Sequence, residues 1–184
     1  MTTPDLPEPP WTPPPRYGPD VPLPPYRYVP LGRHPHPTMD PGGHMQKKPP
    51  EPDETPSALA WMTNAYWLTG VDLYNRFYLW EASETWEPLW RRCGRTGASA
   101  DMVQALIMVC GALLKIQCQE SEGVVAFWKN ADDRFRRVLA SDDEMWGLPV
   151  KKTWKAYTKY FSPLVDKGRL PKLDKSVPKL VLPM

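Results

Sequence analysis

GVDLYNRFYLWEASETWEPLW, residues 70–90, sets three carboxylates, Glu81, Glu84 and Glu87, among three tryptophans, Trp80, Trp86 and Trp90. At 100° per residue, Leu79, Ala82, Trp86, Leu89, Trp90 and Cys93 fall within one arc of about 100°, the width of a core-facing helical stripe. Glu81, Glu84, Glu87 and Arg91 fall on the other side. The stretch therefore reads as an amphipathic helix starting near Tyr78, with its acids toward water. Pro88 interrupts it: proline has no amide hydrogen and crowds the carbonyl of Glu84, so a kink or a restart is expected there. Asn75, Arg76 and Phe77 read as a tight connection to an earlier helix, because asparagine accepts left-handed angles and the apolar phase shifts there.

That earlier helix is expected to start at Ser57, which is placed to cap it, with Ala58, Trp61, Ala65, Leu68 and Asp72 marking its turns. On the other side, Arg95–Ala98 is a turn, and Ser99 is expected to cap a third helix with Asp101 in its first turn. From Met102 to Cys118 this helix is apolar almost all round, which makes it the centre of a bundle. Lys115 is its only charge in that run, and an ammonium there must reach water or an acid. Gly111 would let a neighbouring helix come close. A fourth helix carries Val124, Phe127, Trp128, Ala131, Phe135 and Val138 at helical spacing, with Asp132–Arg136 and Asp133–Arg137 as outer i to i+4 pairs. A fifth follows Pro149, with Val150, Trp154, Tyr157 and Phe161 on one side and lysines on the other, and the chain is expected to be extended beyond Pro163. Five helices without a convincing strand predict an all-α antiparallel bundle.

Composition divides the chain in three. Residues 1–56 hold 19 of the 25 prolines, while 57–146 hold only Pro88. Each proline removes a backbone donor and disfavours helix before it, so 1–56 is an extended arm. Trp11, Tyr17, Tyr26 and Tyr28 predict that the arm lies over the bundle. Residues 57–146 form the core bundle, and 147–184 a basic helix and extended tail. Basic and acidic residues number five against seven in the arm, nine against twelve in the bundle and nine against two in the tail segment. Such a tail can attract phosphate or an acidic partner, or pair with its own bundle. Cys93, Cys110 and Cys118 are odd in number and match no metal spacing; they read as reduced core residues of a cytoplasmic protein. The opening MTTPDLPEPP lacks the pattern of a secretory signal, and no uninterrupted apolar run is long enough to predict a membrane span.

The run in residues 70–90, followed by QALIMVCGALLK, resembles the bacterial and plastid family known as domain of unknown function 309. Gly70, Leu73, Tyr74 and Asn75 match its G-x-x-L-[FY]-N pattern. Tyr78, Glu81, Ala82, Glu84, Glu87 and Trp90 match the [YF] and E-A-H-E-x-x-E-x-x-W positions that follow in its pattern, across a similarity spanning about residues 58–140. The family's turn glycine is replaced by Arg76 or Phe77, and its histidine by Ser83. A histidine there would share a helix face with Glu87 and could bind metal or move a proton, options that serine removes. The resemblance implies an all-helical fold without an established activity. Gly70, Leu73, Ala82 and Trp86 also fall at the spacing of a single tetratricopeptide-like hairpin.

All three histidines, His34, His36 and His44, lie with Asp40 in RHPHPTMDPGGH, residues 33–44. Imidazole and carboxylate suit a transition metal if the loop folds back, but the spacing matches no metal motif, so no metal and no cofactor is assigned. The polar cluster expected in an apolar setting is Glu81, Ser83, Glu84, Glu87 and Lys115, with Glu84 or Glu87 as partner of the lysine. No phosphate-binding loop, dinucleotide glycine pattern or nucleophile elbow is present. The reading is a binding or structural module for a protein or small ligand, without catalysis of its own and without a membrane. One alternative is a metal-dependent, hydrolase-like enzyme built on a Glu/His cluster. Another is nonspecific nucleic-acid binding by the basic C-terminus.

Overall fold

The computed structural model describes residues 8–9, 11–47, 52 and 55–183. Five α-helices follow one another: α1 Ala65–Asn75, α2 Leu79–Arg92, α3 Ala98–Gln117, α4 Ser121–Leu139 and α5 Val150–Lys167. α3 packs on both α2 and α4, α1 packs on α2, and α5 on α4. The helices thus form the all-α bundle that the apolar periodicity predicts. A two-residue hairpin, Glu144–Met145 with Leu148–Pro149, leads into α5. α3 is the one helix among the described residues long and apolar enough to cross a membrane, and 72% of its apolar window is buried by its neighbours. That burial places it as the central layer of the bundle.

Aromatic side chains fill the core. Trp67 of α1 stacks on Trp86 of α2 and meets Trp146 of the hairpin, and all three are fully buried. Gly70 makes the first contact possible, because a Cβ there would lie 2.1 Å from Trp86 Nε1. Gly111 does the same for Phe127 of α4, whose ring would lie 2.6 Å from such a Cβ. The Tyr157 hydroxyl donates to the Tyr74 hydroxyl at 2.8 Å, which in turn donates to the Pro178 carbonyl at 2.9 Å, joining α5, α1 and the tail.

Several boundaries differ from the sequence expectation. Ser57 caps a short 3₁₀ helix, Ala58–Thr63, and α1 begins afresh after Asn64, whose side chain accepts from Trp67 N. Gly97, with φ 88°, precedes α3, and Ser99 lies inside that helix, its carbonyl accepting from Trp146 Nε1. α2 runs unbroken across Pro88. Trp86 and Leu89 on either side of the proline are fully buried, so packing outweighs the one lost helical hydrogen bond. α5 likewise continues through Pro163 to Lys167 and ends at the left-handed Gly168. Arg137 reaches Asp101 of α3, joined there by Arg134, so that carboxylate rivets α3 to α4. In the α1–α2 connection Phe77, at φ 62°, takes the left-handed position, and Asn75 stays helical. Phe77 thus occupies the backbone position where glycine is favoured. Its ring is fully buried, edge-on to Trp11 of the arm.

The arm crosses α1 and α2, and the tail returns beside it. Trp11 Nε1 donates to Asn75 O at 3.2 Å. The Asn75 side chain pairs with the Leu180 backbone in both directions, at 2.7 and 3.0 Å. Val177, Leu180 and Leu182 are each at most 2% exposed, so the tail completes the core.

Candidate functional site

Two acids of the helical pair are buried beneath the arm. Asp72 of α1 is 1% exposed. It accepts from Tyr17 N and Gly18 N at 2.9 Å each, with Arg16 Nε and Arg76 at 3.7 Å. Every oxygen is answered, so Asp72 is an anchor for the arm. A charged residue in an otherwise apolar helix was its only sequence signal.

Glu81, one turn into α2, is fully buried. Its Oε1 accepts from Tyr28 N at 3.0 Å and lies 3.1 Å from His44 Nε2. Its Oε2 is buried without a hydrogen-bond partner among the described residues. Glu81 lines a cavity of 320 Å³ together with Val21, Pro22, Leu23, His44, Thr69 and Thr85. The walls are mainly apolar. Burial lifts the Glu81 carboxyl from its ordinary 4.5 to about 7, against backbone N–H groups that favour the ionised form. Burial, and then the charge of His34, holds the His44 imidazole below its ordinary value. The carboxyl therefore changes charge near neutral pH.

The loop that brings His44 here is tightly determined. A Cβ at Gly43 would lie 2.4 Å from the carbonyls of both His36 and Pro37, so only glycine fits. Met45 N donates to Pro37 O at 2.8 Å and Gly43 N to Asp40 O at 3.0 Å. Tyr26 stacks on His34 at 4.5 Å and meets His44 edge-on at 4.3 Å.

The remaining residues singled out by the sequence are dispersed. His36 Nδ1 accepts from the backbone of Thr38 and Met39, and its ring sits between Tyr28 and Trp80. Asp40 accepts from His36 N at 2.6 Å. Ser83 Oγ donates to Trp80 O, Glu84 is half-buried, and Glu87 pairs with Arg91 at 3.2 Å. Lys115 pairs with Glu120 beyond the end of its own helix. Among the described residues no three His, Cys, Asp or Glu side chains gather where they could hold a metal ion. Of the residues singled out, the loop histidine His44 meets Glu81 of α2, and Asp40 meets His36 within the loop. Cys110 is buried and Cys93 and Cys118 half-buried, all as free thiols.

No curated protein and no solved structure matches the chain. Residues 67–127, which hold most of α1, all of α2 and α3 and the start of α4, match the family model described as Domain of unknown function (DUF309). The buried Glu81 and the turn at Phe77 both fall within that match, so residues 67–127 are similar to that family over α1, α2 and α3.

Proposed function

We propose that the chain is a binding module whose site is the cavity between the arm and α2. Its ligand is a small, mainly apolar molecule carrying one cationic N–H donor. The observation that carries this reading is Glu81, which lines a 320 Å³ cavity and whose buried Oε2 has no hydrogen-bond partner among the described residues. An unmet buried acceptor is costly, and a ligand donor in the cavity would meet it. The apolar side chains of Val21, Pro22 and Leu23 in the lining would contact the rest of the molecule. A metal-dependent reaction would need the loop residues His34, His36 and Asp40 to leave their present partners and join Glu84 or Glu87, so binding is the more direct reading.

The test is titration of cyclohexylamine, followed by ligand-observed NMR, into the wild-type chain and Glu81→Gln. At pH 8 the carboxyl is ionised and the wild type should bind. Glu81→Gln should bind about tenfold or more weakly, because a charge-assisted hydrogen bond is lost. Affinity of the wild type should also fall as pH drops below 7. Equal binding by both chains, or none by the wild type, would refute the reading.

A further inference from the structure

After Gly168 the chain folds back along α5 and leaves a groove of 760 Å³ between tail and helix. Its floor is apolar, made by Leu170, Pro171, Val177 and Pro178. Its rim carries Lys159, Arg169, Lys172, Lys175 and Lys179, all exposed. A second hollow of 780 Å³, lined by Trp11 and Pro13, shares Lys175 and Lys179 with it.

None of these five cations forms an ion pair with a described residue. The one acid lining the groove, Asp174, turns to Ser176, accepting from its amide at 2.9 Å and its hydroxyl at 2.6 Å. The excess of positive charge in this segment is thus not neutralised by the bundle. It lines the same groove as the apolar residues of the floor.

Single-stranded nucleic acid would require open ring faces on which bases can stack. Tyr157 is fully buried, and Tyr160 is 5% exposed with its hydroxyl given to Lys172 O. Trp154 donates to Asp132 and is covered by Arg136, while Trp11 lies against Phe77 with Lys179 above it. The rings near the cations are occupied, whereas Leu170 and Pro178 on the floor stay partly exposed above the buried Pro171 and Val177. We infer that this groove docks an extended acidic segment of a partner protein, with carboxylates on the lysine rim and aliphatic side chains on the floor. The inference is independent of the Glu81 cavity.

Fluorescence anisotropy on the full chain tests it, with a labelled decapeptide alternating Glu and Leu, a second alternating Glu and Ser, and a labelled oligothymidylate. The Glu/Leu peptide should bind tightest, and its affinity should fall on going from low to physiological salt. The combined variant Lys172→Glu, Lys175→Glu, Lys179→Glu should bind it about tenfold or more weakly with an unchanged melting curve, since all three side chains are exposed. Three results would each overturn the inference: preference for oligothymidylate, equal binding of the two peptides, or full affinity in the charge-reversed variant.

Discussion

Glu81 serves the arm with one oxygen and leaves the other without a partner among the described residues, and burial disfavours its ionised form. Its carboxyl is raised from 4.5 to about 7 in the folded chain. Between those values the folded state holds a proton that the unfolded state has released, so stability falls as pH rises from about 5 and levels off above 7. The shift corresponds to about 3 kcal/mol. His44 works in the opposite sense: its lowered value means that stability is lost as pH falls below the ordinary histidine range. Glu81→Gln removes the carboxyl contribution. Urea unfolding at pH 5 and pH 8 should therefore show the variant gaining about 3 kcal/mol relative to wild type at the higher pH. A difference independent of pH would mean that Glu81 keeps an ordinary carboxyl in the fold.

At the level of elements, the α1–α2 pair depends on the missing side chain at Gly70. Gly70→Ala would drive a methyl into Trp86, whose indole donates to Trp67 O at 3.2 Å and stacks on the Trp67 ring. Overpacking at that junction should cost about 3 kcal/mol, visible as a lower midpoint in thermal unfolding and a changed near-ultraviolet tryptophan signal. An unshifted midpoint would show that the two helices can slide apart freely. These helices were legible from the 3.6-residue apolar repeat, since each buries its stripe against a neighbour close in sequence. Caps were less so: Ser57 is used, but by a 3₁₀ turn, and Ser99 is not a cap at all. Glu81 was placed toward water because the repeat records only the face opposite the core. Its cover comes from Tyr28 and His44, which lie far back in the chain, and no local pattern can register a second layer brought in from such a distance. The site was therefore visible as a residue but not as a buried one. The aromatic residues of the arm were the one hint that such a layer exists.

In the whole molecule, the two ends of the described chain meet at the C-terminal end of α1. Leu182 N donates to the Tyr17 hydroxyl at 3.3 Å, and Asn75 holds Leu180. Removing residues 177–184 would delete three aliphatic side chains that are each at most 2% exposed. At about 1.5–3 kcal/mol per side chain, the loss would be about 5–9 kcal/mol, comparable to the stability of a typical domain. The shortened chain should lose its cooperative melt and exchange its amide hydrogens rapidly. A native-like melting curve would show instead that the tail is a passenger. The Tyr17–Leu182 contact spans 165 positions, and that separation governs how the protein is made as well as how it stands. On the ribosome the arm and all five helices emerge first, while the slot beside α1 stays open until residues 177–182 are released. Throughout that interval the Asn75 amide and the Tyr74 hydroxyl lack their tail partners beside bare apolar surface. Nascent chains halted in α5 therefore leave that slot bare to chaperones and proteases, and the emergence of residues 177–182 is what closes it.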